Sequence, residues 1–99
     1  MTTFVVTYPV QDGAKFDADY YVATHIPLVR EKWSRHGLTT ATALIPDQPE
    51  PPYAAVAVLE FADGAALDAA LGSAEAGEVF GDVRNFTDLA PVGVRCEAK

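Results

Sequence analysis

The spacing of apolar and polar positions changes period several times along the chain, and each change marks an element. Residues 2–8, TTFVVTY, are β-branched and aromatic and stop at Pro9, which predicts a strand. A loop follows over 9–15, with Asp12-Gly13 as its turn chemistry. From Ala18 the period becomes helical. Winding about 100° per residue gathers Ala18, Val22, His25, Ile26, Val29, Trp33 and His36 on one stripe, flanked by Tyr21 and Leu28. Asp17 is the predicted N-cap, Phe16 and Tyr21 a hydrophobic staple, and Gly37 the stop after a last turn holding Lys32, Arg35 and His36.

LTTATALI (38–45) predicts a second strand, and the proline-rich run 46–52 an exposed, stiff connection. YAAVAVLEF (53–61) is a third strand. Asp63 then caps a helix over 64–71, Gly72 stops it, and Ser73 caps a short helix over 74–81. Residues 82–88 read as a loop and 90–97 as the last strand. The order β-α-β-β-α-β predicts one domain over 1–99, an α+β ferredoxin-like fold with a four-stranded antiparallel sheet. Right-handed crossovers put both helical segments on the same sheet face. In strand 53–61 both sides are mostly apolar, Tyr53, Ala55, Ala57, Leu59 and Phe61 on one, Ala54, Val56 and Val58 beside Glu60 on the other. A homodimer covering the second face is the expected reason.

Charge narrows the partners. Seven Lys and Arg against fourteen Asp and Glu give a net charge of −7, which repels phosphate backbones and anionic membranes, so neither nucleic acid nor membrane is expected as a partner. Cys96 is alone, which fits a reducing cytoplasm, and the start MTTFVVTYPV has no basic segment of the secretory type. No GxGxxG, phosphate loop, CxxC or metal-ligand spacing occurs, so no organic cofactor and no metal is expected.

Candidate chemistry concentrates in the first helix and in the 82–88 loop. His25 sits mid-stripe and points at the sheet, where burial lowers its basicity and keeps it neutral, the form a general base needs. Pro27 lies on the opposite side, frees the Ala23 carbonyl to water, and bends the helix ends toward the sheet, leaving room beneath His25. Tyr21 stands one turn before His25 and Val29 one turn after it. Tyr8 and Trp33 read as core first and as pocket lining second. In GDVRNFTD (81–88), Asp82 or Asp88 could pair with His25 and orient its imidazole, with Asn85 and Phe86 beside it. The competing reading is that these residues only cap a helix end. Tyr20 falls on the outer face, as a surface or subunit-contact residue, and His36 complements the helix dipole at the surface.

The runs YP (8–9), FDADYY (16–21), HIPLV (25–29) and AGEVFGDVRNFTD (76–88) together resemble the EthD (ethyl tert-butyl ether degradation) family of the dimeric α+β barrel superfamily. The resemblance implies a homodimer with a pocket between each sheet and its helices. Its members and relatives include cofactor-independent oxygenases, polyketide cyclases and muconolactone isomerases, and some barrel relatives bind haem. It implies His25, Tyr21, Asp82 and Asp88 as catalytic candidates and Tyr8, Val29, Trp33, Asn85 and Phe86 as substrate contacts. The function implied is a cofactor-independent oxidoreductase or isomerase/cyclase acting on a small hydrophobic carbonyl or aromatic compound. The alternative is a non-catalytic carrier of a hydrophobic intermediate for a partner enzyme such as a P450 system. Methylmuconolactone isomerases pair the pocket histidine with a cysteine, and here the only cysteine is Cys96, a departure that weakens a direct transfer of the isomerase mechanism.

Overall fold

β1 (Thr2–Pro9) has a neighbour on both edges, because its β-branched residues are paired along their whole length: Val5 lies opposite Val58 of β3 (Tyr53–Phe61) and Val94 of β4 (Val92–Glu97). With β2 (Leu38–Leu44) beyond β3, the sheet order is β2-β3-β1-β4 and every pairing is antiparallel. This is the ferredoxin-like α+β fold. The computed structural model describes residues 1–99.

The helix after β1 is a composite of α1 (Ala18–Tyr20), a π-helical turn (Tyr21–His25), α2 (Ile26–Trp33) and a 3₁₀ turn (Ser34–His36). It starts where the sequence places it: Asp17 accepts the Tyr20 N–H at 3.1 Å, and the Phe16 and Tyr21 rings of the staple lie 5.2 Å apart. The π turn was not expected. In it the Ile26 N–H reaches the Tyr21 carbonyl, five residues back. Pro27 supplies a reason, since its ring would meet the carbonyl four residues earlier in a regular helix, and a widened turn moves that carbonyl aside.

The widened turn corrects the predicted stripe. More residues per turn means less rotation per residue, so the three steps from Val22 no longer reach the side of His25, while the four from Tyr21 do. Tyr21 is accordingly fully buried and Val22 is 48% exposed. Ala18 is half-buried, and the inward face is Tyr21, His25, Ile26, Val29 and Trp33. Pro27 faces solvent, as its position predicts. At the far end His36 is a tie rather than a free surface residue, with Nε2 2.7 Å from Glu75 of α4 (Ala74–Gly81).

Two more helices complete the layer. Asp63 caps α3 (Gly64–Leu71) by accepting the Ala66 N–H at 2.8 Å. Ser73 does not cap α4 with its side chain, because its hydroxyl donates back to the Ala70 carbonyl at 2.6 Å. The 82–88 loop contains a 3₁₀ turn (Asp82–Asn85). Trp33, Tyr21, Phe61 and Leu67 are the largest fully buried side chains, all between the sheet and this helical layer. Ala55, Ala57, Leu59 and Phe61 of β3 are buried against it, whereas Ala54, Val56 and Val58 on the other face are only partly covered. Val92, Val94 and Leu44 extend that open apolar face and are about half exposed. No helix is long and apolar enough to cross a membrane.

Gly37 ends the first helix at φ 90°, in the left-handed region, and a Cβ there would sit 2.7 Å from the Ala66 Cβ. Gly37→Ala is therefore expected to lower the unfolding free energy by about 1–3 kcal/mol in urea titrations. Gly77→Ala, in the interior of α4 where a Cβ meets nothing within 4 Å, is expected to be neutral or stabilising.

Candidate active site

His25 closes the π turn and Asp82 opens the 3₁₀ turn after α4, so residues 57 apart in sequence meet. His25 Nδ1 lies 2.9 Å from Asp82 Oδ2. The other carboxylate oxygen, Oδ1, accepts the Tyr20 hydroxyl at 2.7 Å and the Asn85 amide at 2.9 Å. The approach is held by backbone: the Asp17 N–H donates to the Phe86 carbonyl at 2.8 Å, Thr87 Oγ1 to the Lys15 carbonyl at 2.6 Å, and Phe16 bridges to Thr87.

The electrostatics assign the protons. Burial works to raise the Asp82 carboxyl, but hydrogen bonds from Asn85, Tyr20 and His25 together outweigh it and hold the group below the ordinary carboxylate range. An ionised carboxylate only accepts, so His25 Nδ1 carries the hydrogen. Burial lowers the His25 pKa, and the hydrogen bond and charge of Asp82 offset this only in part. The ring is thus neutral near pH 7, with the lone pair on Nε2. Tyr8 and Tyr21 are both held protonated, each chiefly by burial, with the Asp82 charge adding to the effect on Tyr8.

Beneath His25, between helix and sheet, lies a cavity of about 30 Å³ with 12 hydrophobic residues among the 14 that line it. That is room for about one water. Tyr8, Tyr21, Val29 and Trp33 line it, as do Phe4 and Leu59 from the sheet and Val79, Phe80 and Val83 from the α4 side. Gly93 of β4 leaves space for the Phe4 ring, which a Cβ at that position would overlap. The Tyr21 hydroxyl and the Trp33 Nε1 are buried without a hydrogen-bond partner.

The structure brings together some of the expected residues and separates others. Tyr8, Tyr21, His25, Val29 and Trp33 surround the cavity. Phe86 is buried behind His25, ring centroids 4.7 Å apart, and Asn85 holds Asp82 instead of facing the cavity. Asp88 is a correction: it is exposed beside Lys15 and Arg84, with its N–H directed to the Lys15 carbonyl, so it does not reach His25. Tyr20 is the other correction, since the 82–88 segment folds over the face it occupies and takes its hydroxyl. Val79, Phe80 and Val83 escaped sequence reading, although their helical spacing is an apolar signal in itself.

The EthD domain model matches residues 12–90, which include both members of the His25–Asp82 pair. The chain belongs to the EthD family. Among solved structures, an EthD-like protein from Ralstonia eutropha JMP134 is 28% identical, covers 97% of this chain and 89% of its own, and has a TM-score of 0.82. SnoaB, a cofactor-independent oxygenase from Streptomyces nogalater, is 16% identical over 99% of this chain and 92% of its own, with a TM-score of 0.71. A dimeric protein of ferredoxin-like fold from Bacteroides fragilis NCTC 9343 is 11% identical over 98% and 95%, with a TM-score of 0.68. These last two likenesses establish the fold alone. No curated protein matches the chain.

Both members of the pair have lowered pKa values, so the native EthD domain binds fewer protons than the unfolded chain in acid. Stability present at neutral pH is then lost in two stages on acidification, through His25 below about pH 6.5 and through Asp82 below about pH 4. NMR titration of wild-type protein is expected to place the His25 midpoint below about 6.5. In Asp82→Asn, which removes the charge favouring imidazolium, the midpoint is expected to fall further; a rise would contradict the assigned pairing.

Proposed function

We propose that this EthD protein is a small-molecule enzyme that works without an organic cofactor and uses His25 as general base on a small hydrophobic carbonyl or phenolic compound. The observation that carries the reading is a neutral imidazole, anchored through Nδ1 to a held carboxylate and facing an apolar cavity. Nε2 would take a proton from the carbon α to a carbonyl, or from a phenol, leaving an enolate or phenolate. Asp82 would stabilise the imidazolium so formed, and the Tyr21 hydroxyl would donate to the developing oxyanion. Return of the proton to another carbon gives isomerisation, and attack of the carbanion on a second carbonyl gives cyclisation. An oxidation would require a carbanion that reacts with dioxygen itself. The fold shared with SnoaB, an oxygenase described as cofactor-independent, supports chemistry of this kind. The cavity of about 30 Å³ holds about one water as it stands, so a ligand of this class would enter only with movement of a lining side chain, and a porphyrin would need far more.

The active form would be a homodimer. Val5, Val56, Val58, Val92 and Val94 share the open sheet face, and a neighbour of the same fold is dimeric. Val94→Asp, which puts a charge on that face, is expected to give monomers by light scattering.

Proton abstraction is measurable without knowing the natural substrate, as deuterium uptake α to the carbonyl of 1-tetralone in D₂O. His25→Asn, whose amide can still donate to Asp82 but leaves part of the ring's space unfilled, is expected to fold with a lowered urea midpoint and to lose at least about 100-fold in exchange rate. Equal exchange in the two proteins would overturn the assignment. Binding without exchange in either would make the chain a carrier.

A further inference from the structure

Three of the four polar side chains that line the cavity, Tyr21, His25 and Trp33, come from one helix, and the fourth, Tyr8, comes from β1. Tyr21 lies one turn before His25, and Trp33 lies eight residues after it, a rise of about 12 Å. Tyr21 and Trp33 are 0% and 1% exposed, and both keep a buried donor without a partner. A buried unmatched N–H costs about 1–3 kcal/mol, so a core tryptophan ordinarily finds an acceptor. The proton-transfer chemistry proposed above makes use of Tyr21 and leaves the Trp33 donor idle. No Lys, Arg, Asp or Glu lines the cavity, so nothing there would compensate a charged ligand.

We propose that Trp33 is a second anchor that determines specificity: the ligand is uncharged and elongated, with its reacting oxygen at the Tyr21–His25 end and a further hydrogen-bond acceptor, on the order of 10 Å away, received by the Trp33 indole N–H. The cavity holds about one water as it stands, so such a ligand must displace a side chain. Phe80 is the side chain placed to yield. It lines the cavity, is 47% exposed, and its ring packs 5.9 Å from the Trp33 indole. Swinging it toward solvent opens the cavity at the end where the second acceptor would sit. The inference rests on the proposed function only for the reacting end, because the anchor would act equally on a ligand that is never turned over.

Trp33 is the only tryptophan in the chain, so its indole N–H gives a single ¹⁵N-resolved NMR signal. Two nearly isosteric probes differ in one acceptor: 6-(3-methoxypropyl)-1-tetralone can extend an ether oxygen to about 10 Å from its ketone oxygen, and 6-pentyl-1-tetralone has no such oxygen. The ether compound is expected to bind about fivefold more tightly and to move the indole proton downfield, while the pentyl compound leaves that proton nearly unshifted. Trp33→Phe is expected to abolish the affinity difference. Should that variant unfold, the indole shift in wild-type protein decides alone. Equal affinities, an indole signal indifferent to both ketones (a buried water or an aromatic face as its partner), or tighter binding of the 6-carboxylate analogue would overturn the proposal. Deuterium exchange is a separate readout, so loss of the anchor and loss of the base are told apart.

Discussion

An ionised carboxylate pressed against a buried imidazole is the constraint on which the rest of this structure depends. Taking the Asp82 charge out of water is costly, and it is tolerated because Tyr20, Asn85 and His25 supply three donors to its two oxygens. Those donors come from the first helix and from the 3₁₀ turn itself. The pair can exist only if the 82–88 segment is closed onto the start of that helix, and the hydrogen bonds from Asp17 and Thr87 do this. The dyad and the closure are one arrangement, and disturbing either exposes the other.

The first helix meets this demand by departing from regular geometry. Pro27 makes a regular turn unfavourable just where His25 must face inward, and the π turn relieves the clash while rotating Tyr21 into the interior. Tyr21 then packs edge-on against Tyr8 and stacks with His25. The aromatic wall around His25 and the outward exposure of Val22 thus have a single steric origin. The same helix carries on to Trp33, so one element supplies His25, the Tyr21 hydroxyl beside it and the unpartnered indole at the far end.

The helical layer covers one face of the sheet and leaves a valine-rich face open. The cavity lies on the covered side, between His25 and the sheet. Pairing through the open face would therefore stiffen the floor beneath the site without occupying it.

The sequence alone determined what depends on neighbours within one turn or on alternation along a strand: the Asp17 and Asp63 caps, the Phe16–Tyr21 staple, the Gly37 stop, the outward Pro27, the inward His25, and a β3 apolar on both faces. These are set by local sterics and by hydrogen bonds a few residues long, which any reading of period and capping recovers. It could not tell Asp82 from Asp88, because both lie in one short segment and only the turn and the bridge to Phe16 decide which carboxylate reaches a histidine 57 residues away. Tyr20 read as outward for the same reason, since what covers an outer face belongs to another part of the chain. The Ser73 hydroxyl and the π turn were missed for a different reason, each replacing a regular local contact, a side-chain cap or a turn closed four residues back, by another that the same residues allow. The fold and the inward histidine were legible in local chemistry; the carboxylate that pairs with His25, and the cavity beneath it, are products of contacts that only the folded chain makes.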